Sequence, residues 1–304
     1  MFCFAICLIV DPRNFGCPQS RPRFYLPFVS RAWLKEHTIT EVEWHRWVTD
    51  HVKQFSLNNG MLRLNSFIMP ETSKCIQLAL ADARQAYSNM EPGEEEEQEE
   101  DGDQSGMKWP QKHLDRALAT GHRWWETSGI TSELKAKYPG IGLQTARPID
   151  ILRLNDVSLP EPEEQMRLVE TSVSSNRSRS VDHCIECVTP KMKRWITSRC
   201  RMVHGQEAML MQGIAFDEGI LSNCTDEWLS ELAGNAFHTG CFQACYLATL
   251  SACALGFYRK KQYSEAAEAS KTAGASSSDS VLPPAQVAVA QTIPDADISM
   301  DDLF

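Results

Sequence analysis

The chain has 304 residues, 42% of them hydrophobic, and a formal net charge of -10. That is enough apolar material for one large or two modest domains, which excludes a peptide and a wholly disordered chain. Nine of the 40 acidic residues fall in one run, Glu91 to Asp103, leaving 31 acidic against 30 basic side chains elsewhere, so charge neither argues for nor excludes nucleic acid.

Met1 to Val10 (MFCFAICLIV) is apolar but lacks a basic flank, runs straight into Asp11-Pro12-Arg13 and is too short to span a bilayer. It is predicted as a buried strand, as though the chain started inside a domain, and no membrane association is expected. A turn at Gly16 to Pro18 feeds an extended run, Gln19 to Leu26, in which Gln19, Arg21 and Arg23 alternate and share one face. Two readings stand side by side here. The run is an edge strand with a solvated face, or it aims two fork-shaped guanidiniums at a phosphate or base.

From Ser30 to Asn89 the pattern is helical. Thr40 can cap a helix with Trp44, Val48, Val52 and Phe55 on one face, and Pro70-Glu71-Thr72-Ser73 opens another through Ile76, Leu80, Ala83 and Tyr87. The tryptophans read as core. Residues 91–106 form an acidic insertion expected to be disordered and to sit away from any DNA face. Ordered sequence resumes at Met107 with Trp109, His113, Trp124 and Trp125, and turns at Tyr138-Pro139-Gly140. The Ser- and Arg-dense stretch from Ser174 to Arg179 is a loop whose composition also suits phosphate contacts.

Cys184 and Cys187, in the run that opens at His183, have with Cys200 and His204 downstream spacings that a zinc site could use. Small buried thiols are the preferred reading, and no metal is expected. Eleven cysteines, odd in number and without a small-domain framework, suit a reducing compartment, nucleus or cytoplasm. Gly205 to Met211 and Asp226 to Leu232 are predicted as short helices, broken at Gly234-Asn235-Ala236. A long helix follows from Thr239 to Leu255 with Gly256 as its C-cap. That helix is apolar nearly all round and should be buried. Beyond Tyr263 the chain is rich in Ala, Ser and Pro, and residues 262–304 are expected to be a disordered tail.

Three of these stretches together resemble the carboxyl-terminal motifs of the cytosine-5 DNA methyltransferases. Gln19-Ser20-Arg21-Pro22-Arg23, preceded by Phe15-Gly16-Cys17-Pro18, is similar to motif VIII. Glu207 with Gln212-Gly213 is similar to motif IX, and Gly234-Asn235-Ala236 to motif X, in the family's order. Val188-Thr189-Pro190, behind the Ser-rich stretch, loosely resembles the approach to motif IX.

The resemblance implies an α/β fold, an incomplete Rossmann-like methyltransferase domain plus a target recognition lobe. Residues 1–29 and 181–261 would belong to the methyltransferase domain, and residues 30–180 to a recognition region, separate and mostly irregular. Gln19, Arg21 and Arg23 would lie beside a flipped cytosine, and Asn235 and Ala236 would touch S-adenosylmethionine. Double-stranded DNA is the implied partner. The family's nucleophilic cysteine after a proline, its Glu-Asn-Val segment and its glycine-rich turn have no counterpart here. Either the chain is part of an enzyme whose amino-terminal motifs are encoded directly upstream or carried by a separate chain, or it is a catalytically dead module that binds DNA or a partner.

Overall fold

The computed structural model describes residues 2–56, 62–90, 109–121, 131–144, 146–155, 159–173, 180–182, 184–190, 192–215 and 224–275. The acidic insertion, the Ser/Arg stretch at 174–179, Trp124, Trp125, His183 and the tail beyond 275 lie outside these residues. The chain divides into two units, Met1–Gly256 and Phe257–Phe304. It mixes helices with small antiparallel sheets, a content compatible with an α/β fold.

The first ten residues form two short strands, β1 (Cys3–Ala5) and β2 (Leu8–Val10). The run after the turn gives β3 (Arg23–Tyr25) and β4 (Phe28–Ser30). Although β1 pairs with β4 and β2 with β3, Cys3↔Ser30 and Leu8↔Tyr25 have the same antiparallel offset, and Ile6 N–H donates to Pro27 O (3.2 Å) between them. The four strands are therefore one ribbon in a single register. Its inner face carries Ile6, Leu8, Val10, Tyr25 and Val29, all buried.

Two helices pack on that face. The first, α1 (Arg31–Glu36), follows β4 directly. The second, α2 (Glu41–Gln54), begins with Thr40 and Glu43 in a reciprocal capping box, which stabilises a helix start by about 1 kcal/mol. The predicted stripe is the buried one: Trp44 and Val48 are fully buried, and Val52 and Phe55 are partly so. These helices, assigned above to the recognition region, thus share their core with the ribbon.

Next come α3 (Lys74–Asn89), with Ile76 inward on the predicted face, α4 (Trp109–Thr120), α5 (Ser132–Lys137), α6 (Pro139–Gly142) and α7 (Ala146–Leu154). The region expected to be mostly irregular is therefore largely helical among the described residues. A second sheet follows, built from β5 (Arg167–Glu170), β6 (Ser180–Asp182), β7 (Arg194–Ile196) and β8 (Arg201–Met202) in the order β6-β5-β7-β8, all antiparallel. Trp195 on β7 is fully buried with Ile141, Ile151 and Leu152, joining this sheet to α6 and α7.

The last helices are α8 (Gly205–Met211), α9 (Asp226–Asn235) and α10 (Thr239–Ala275), the part from Phe257 on belonging to the second unit. The limits of α8 match the expectation, but α9 runs through Gly234 and Asn235 and breaks only at Ala236. A side chain at Gly234 would put its Cβ 2.0 Å from Pro190 N, so this glycine permits close packing rather than a break. Gly256 is likewise inside α10, not at its end: a Cβ there would lie 2.5 Å from Trp33 Cη2 and 2.7 Å from Ile39 Cδ1. Residues 262–275, expected to belong to a disordered tail, are helical.

Nor is α10 buried all round. Cys241, Cys245, Ala248 and Ala252 face the ribbon core, while Phe242, Tyr246, Leu247 and Leu250 are exposed, because the ribbon and its helices cover one side only. The span Asp226–Lys271 is long and apolar enough to cross a membrane by length and composition, with 33% of its most apolar window buried inside the protein.

Candidate functional site

The alternation of Gln19, Arg21 and Arg23 survives in the structure, but their face points inward. Gln19 and Arg21 are buried and Arg23 is partly so, with exposed Pro22 and Phe24 between them. The solvated-edge reading fails because another segment lies alongside: Ser20 N–H donates to Ile185 O (2.8 Å), and Gln19 forms a parallel bridge with Ile185.

Each of these three side chains has a partner far away in sequence, although the buried Arg21 Nε has none among the described residues. Arg21 Nη1 donates to Val188 O (2.7 Å) and Nη2 to Gly234 O (2.8 Å). One planar fork thus ties the ribbon both to the approach to α8 and to the end of α9. The Gln19 amide, oriented to satisfy both ends, donates to Met211 O (3.2 Å) and accepts from Val188 N–H (3.1 Å). Gln212 donates to Ala233 O (2.9 Å), and Thr239 N–H to Gln212 O (2.9 Å), so α8, α9 and α10 are laced together at their ends. Gly213 makes that corner with φ of 70°, the left-handed conformation that glycine adopts without strain.

Burial pulls the Arg21 guanidinium below its usual pKa, with neighbouring Arg23 adding to the effect, yet an arginine keeps its charge at neutral pH. Its charge is spent on backbone carbonyls. Arg23 differs: Nη2 donates to Cys187 Sγ (3.3 Å) and Nη1 to Pro22 O (3.1 Å), and the rest of its fork has no protein partner among the described residues.

Asn235 is exposed in the last turn of α9, and Ala236 follows it half-buried. Exposed Phe237 stands 6.0 Å from the Tyr25 ring. His238 is buried, and burial, helped by the Arg21 charge, lowers its pKa to about 4, so it is neutral at pH 7.

Cys17, two residues before Gln19, is buried and donates its thiol to Met211 O (3.2 Å). Burial pushes its pKa up to about 12, as it does for Cys200 and Cys241, and Cys245 rises to about 11. A thiol that stays protonated is not a nucleophile. The candidate zinc ligands are otherwise engaged. Cys187 meets Arg23, Cys200 lies in the turn after β7, and His204 caps α8 by accepting from Gln206 N–H (3.2 Å). Among the described residues no three His, Cys, Asp or Glu side chains form a group that could hold a metal ion.

Glu207 is fully buried, and its carboxylate accepts from both Arg201 Nη atoms (2.9 and 2.8 Å), from His204 N–H and from Met69 N–H (both 2.8 Å). Arg201 also meets Glu71 (2.9 Å). This network fastens the segment before α3 to the start of α8. No local sequence pattern announces it, because Glu71 and Arg201 are 130 residues apart.

No protein-family profile matches the chain. A curated relative does align: the DNA (cytosine-5-)-methyltransferase DMT5 of Cryptococcus neoformans var. grubii, 29% identical over 133 residues. The chain is similar to a DNA cytosine-5 methyltransferase. The alignment takes in 41% of this chain and 6% of the relative, so the chain spans a small fraction of that protein's length. The likeness supports the family that the motifs around Arg21, Glu207 and Asn235 resemble.

Proposed function

We propose that the chain is the carboxyl-terminal part of an S-adenosylmethionine-dependent DNA (cytosine-5) methyltransferase, an incomplete Rossmann-like domain that recognises DNA and closes the cofactor domain. The observation that carries this reading is the Arg21 junction. Three stretches that resemble family motifs, separated by as many as 213 residues, are held at one point by Arg21 and Gln19.

In this reading Arg23 is the residue that meets the substrate. Its fork is half-exposed with donors to spare, and a guanidinium suits a phosphate or the edge of an extruded base. Arg21 and Gln19 position it by fixing the ribbon against Val188, Met211 and Gly234. Asn235 offers an exposed amide two residues from the exposed ring of Phe237, with Ala236 between them, a polar and a flat group that suit a nucleoside. The cofactor would supply the methyl group. Without a glycine-rich turn these residues alone bind it weakly or not at all.

Attack on cytosine carbon 6 requires a thiolate, and the buried thiols beside the site are held protonated. The nucleophile would come from a separate chain with the amino-terminal motifs, acting with this one on double-stranded DNA in the nucleus or cytoplasm. The test is tritiated methyl transfer to unmethylated duplex DNA by the 304-residue chain, alone and mixed with an amino-terminal methyltransferase half. Transfer only on mixing, lost in Arg23→Ala, is the expected result. Transfer by the chain alone refutes it.

A further inference from the structure

Past Gly256, α10 continues through residues 257–275 in the second unit, and every residue from 261 to 271 is exposed, on all sides of the helix. A helix open all round relies on side-chain pairs a turn apart, each contributing a few tenths of a kcal/mol. Two such pairs are Lys261 with Glu265, at 3.9 Å, and Arg259 with Tyr263, the guanidinium 5.7 Å from the ring centre. Phe257 is 59% exposed, and Tyr258 and Tyr263 54% each. Three large rings and three cations, Arg259, Lys260 and Lys261, thus share roughly two turns of one helix. That combination suits an occupant that is both acidic and apolar.

The sequence supplies one. Residues 276–304 hold five aspartates and no lysine, arginine or histidine. Four of the five, Asp295, Asp297, Asp301 and Asp302, are interleaved with Ile298, Met300, Leu303 and Phe304 at 295–304, whereas the helix at 257–275 carries four cations against two glutamates. Residues 276–294 reach roughly 60 Å at full extension and the helix at 257–275 is about 28 Å long, so 295–304 can lie against any part of it.

We infer that residues 295–304 dock on the 257–271 section of their own chain, with the aspartates toward Arg259, Lys260 and Lys261 and the apolar side chains on the rings of Phe257, Tyr258 and Tyr263. Each surface ion pair contributes little, but the tether sets an effective concentration on the order of a millimolar, so several weak contacts suffice and salt loosens them. A second copy of the helix brings the same cations, and its acidic segment only repeats what the chain already holds at closer range. A nucleic acid meets the cations, but it competes with a tethered acidic segment and leaves Glu265 and Glu268 against its phosphates. The inference does not rest on the proposed function.

The test is zero-length carbodiimide cross-linking of the full 304-residue chain, as a mixture of unlabelled and nitrogen-15-labelled protein, with the linked peptides mapped by mass spectrometry. Lys260 or Lys261 should join Asp295, Asp297, Asp301 or Asp302 within one chain, and the yield should fall about tenfold in about 1 M salt, where charges are screened beyond about 3 Å. Hydrogen exchange at amides 262–271 should be about tenfold faster in Asp295→Asn/Asp297→Asn/Asp301→Asn/Asp302→Asn, which alters none of the described residues. Lys260→Glu/Lys261→Glu should match it, and adding Asp301→Lys/Asp302→Lys to that pair should restore protection. Circular dichroism checks that each variant folds. The inference is overturned if these cross-links are absent, if they join only labelled to unlabelled chains, if exchange is unchanged in the Asn variant, or if amides 262–271 are slowed only by added duplex DNA or phosphatidylserine vesicles.

Discussion

Arg21 and Arg23 are two residues apart on one face of one run, yet replacing them should have opposite consequences. The Arg21 fork makes two charge-assisted hydrogen bonds, to Val188 O and Gly234 O, both buried. Bonds of this kind contribute about 1.5–3 kcal/mol each, and removing the donor also takes the guanidinium partner from two carbonyls, leaving Val188 O only the weak Cys187 thiol. Against this, Arg21→Ala relieves the cost of burying a cation that burial already disfavours. The net loss should be about 3 kcal/mol. Arg21→Lys should lose about half of that, since an ammonium on a flexible stem reaches one carbonyl but does not span two. Arg23→Ala gives up a part-buried thiol contact and an exposed bond to its neighbour's carbonyl, and should cost under about 1 kcal/mol. Urea titration followed by tryptophan fluorescence measures all three, with unchanged m-values as the condition for comparing midpoints. Equal losses for Arg21→Ala and Arg23→Ala would refute the division into a positioning and a substrate-facing arginine.

Other substitutions test other joints. Gly256→Ala should destabilise by about 1–3 kcal/mol through collision with Trp33 and Ile39, although alanine in an open helix would stabilise by about 1 kcal/mol; thermal melting gives the sign. Glu207→Gln should cost about 3–5 kcal/mol by leaving Arg201 buried without its counter-charge, and chemical denaturation of a Glu207→Gln/Arg201→Met double variant should recover part of it. His238 gives a pH signature. The unfolded chain takes up its proton near pH 6.5 and the folded chain only near 4, so the unfolded state binds more protons in that window. Stability should be fully present above pH 6.5 and fall toward pH 4, by up to about 3 kcal/mol, with a shallower slope in His238→Gln.

The sequence made the long helices legible because their apolar spacing is local. Trp44, Val48 and the Thr40 cap lie within a few residues of one another, and Ile76 through Tyr87 repeat at three and four. The alternation of Gln19, Arg21 and Arg23 gave their shared face, but not its direction, since that depends on Ile185 and Val188 arriving from beyond residue 180. Gly234 and Gly256 were misread for the same reason. Alone, a glycine near a helix end signals a cap; here each is set by a neighbour from another part of the chain, Pro190 or Trp33. The strands β5 to β8 have two to four residues each, too few for a period to register.

The Arg21 fork also has a consequence for the order in which the molecule assembles. Its two acceptors stand 167 and 213 residues away along the chain, whereas α2 with its cap and the ribbon are closed by short-range contacts. Bringing distant segments together costs loop-closure entropy before the bonds repay it, and folds dominated by such contacts form slowly. During synthesis the ribbon emerges well before Gly234 and must wait for it before Arg21 has both acceptors. Until then it holds a buried-type guanidinium and a two-faced apolar surface in water, so an early-folding ribbon exposed to aggregation and a late-closing site are two sides of one topology.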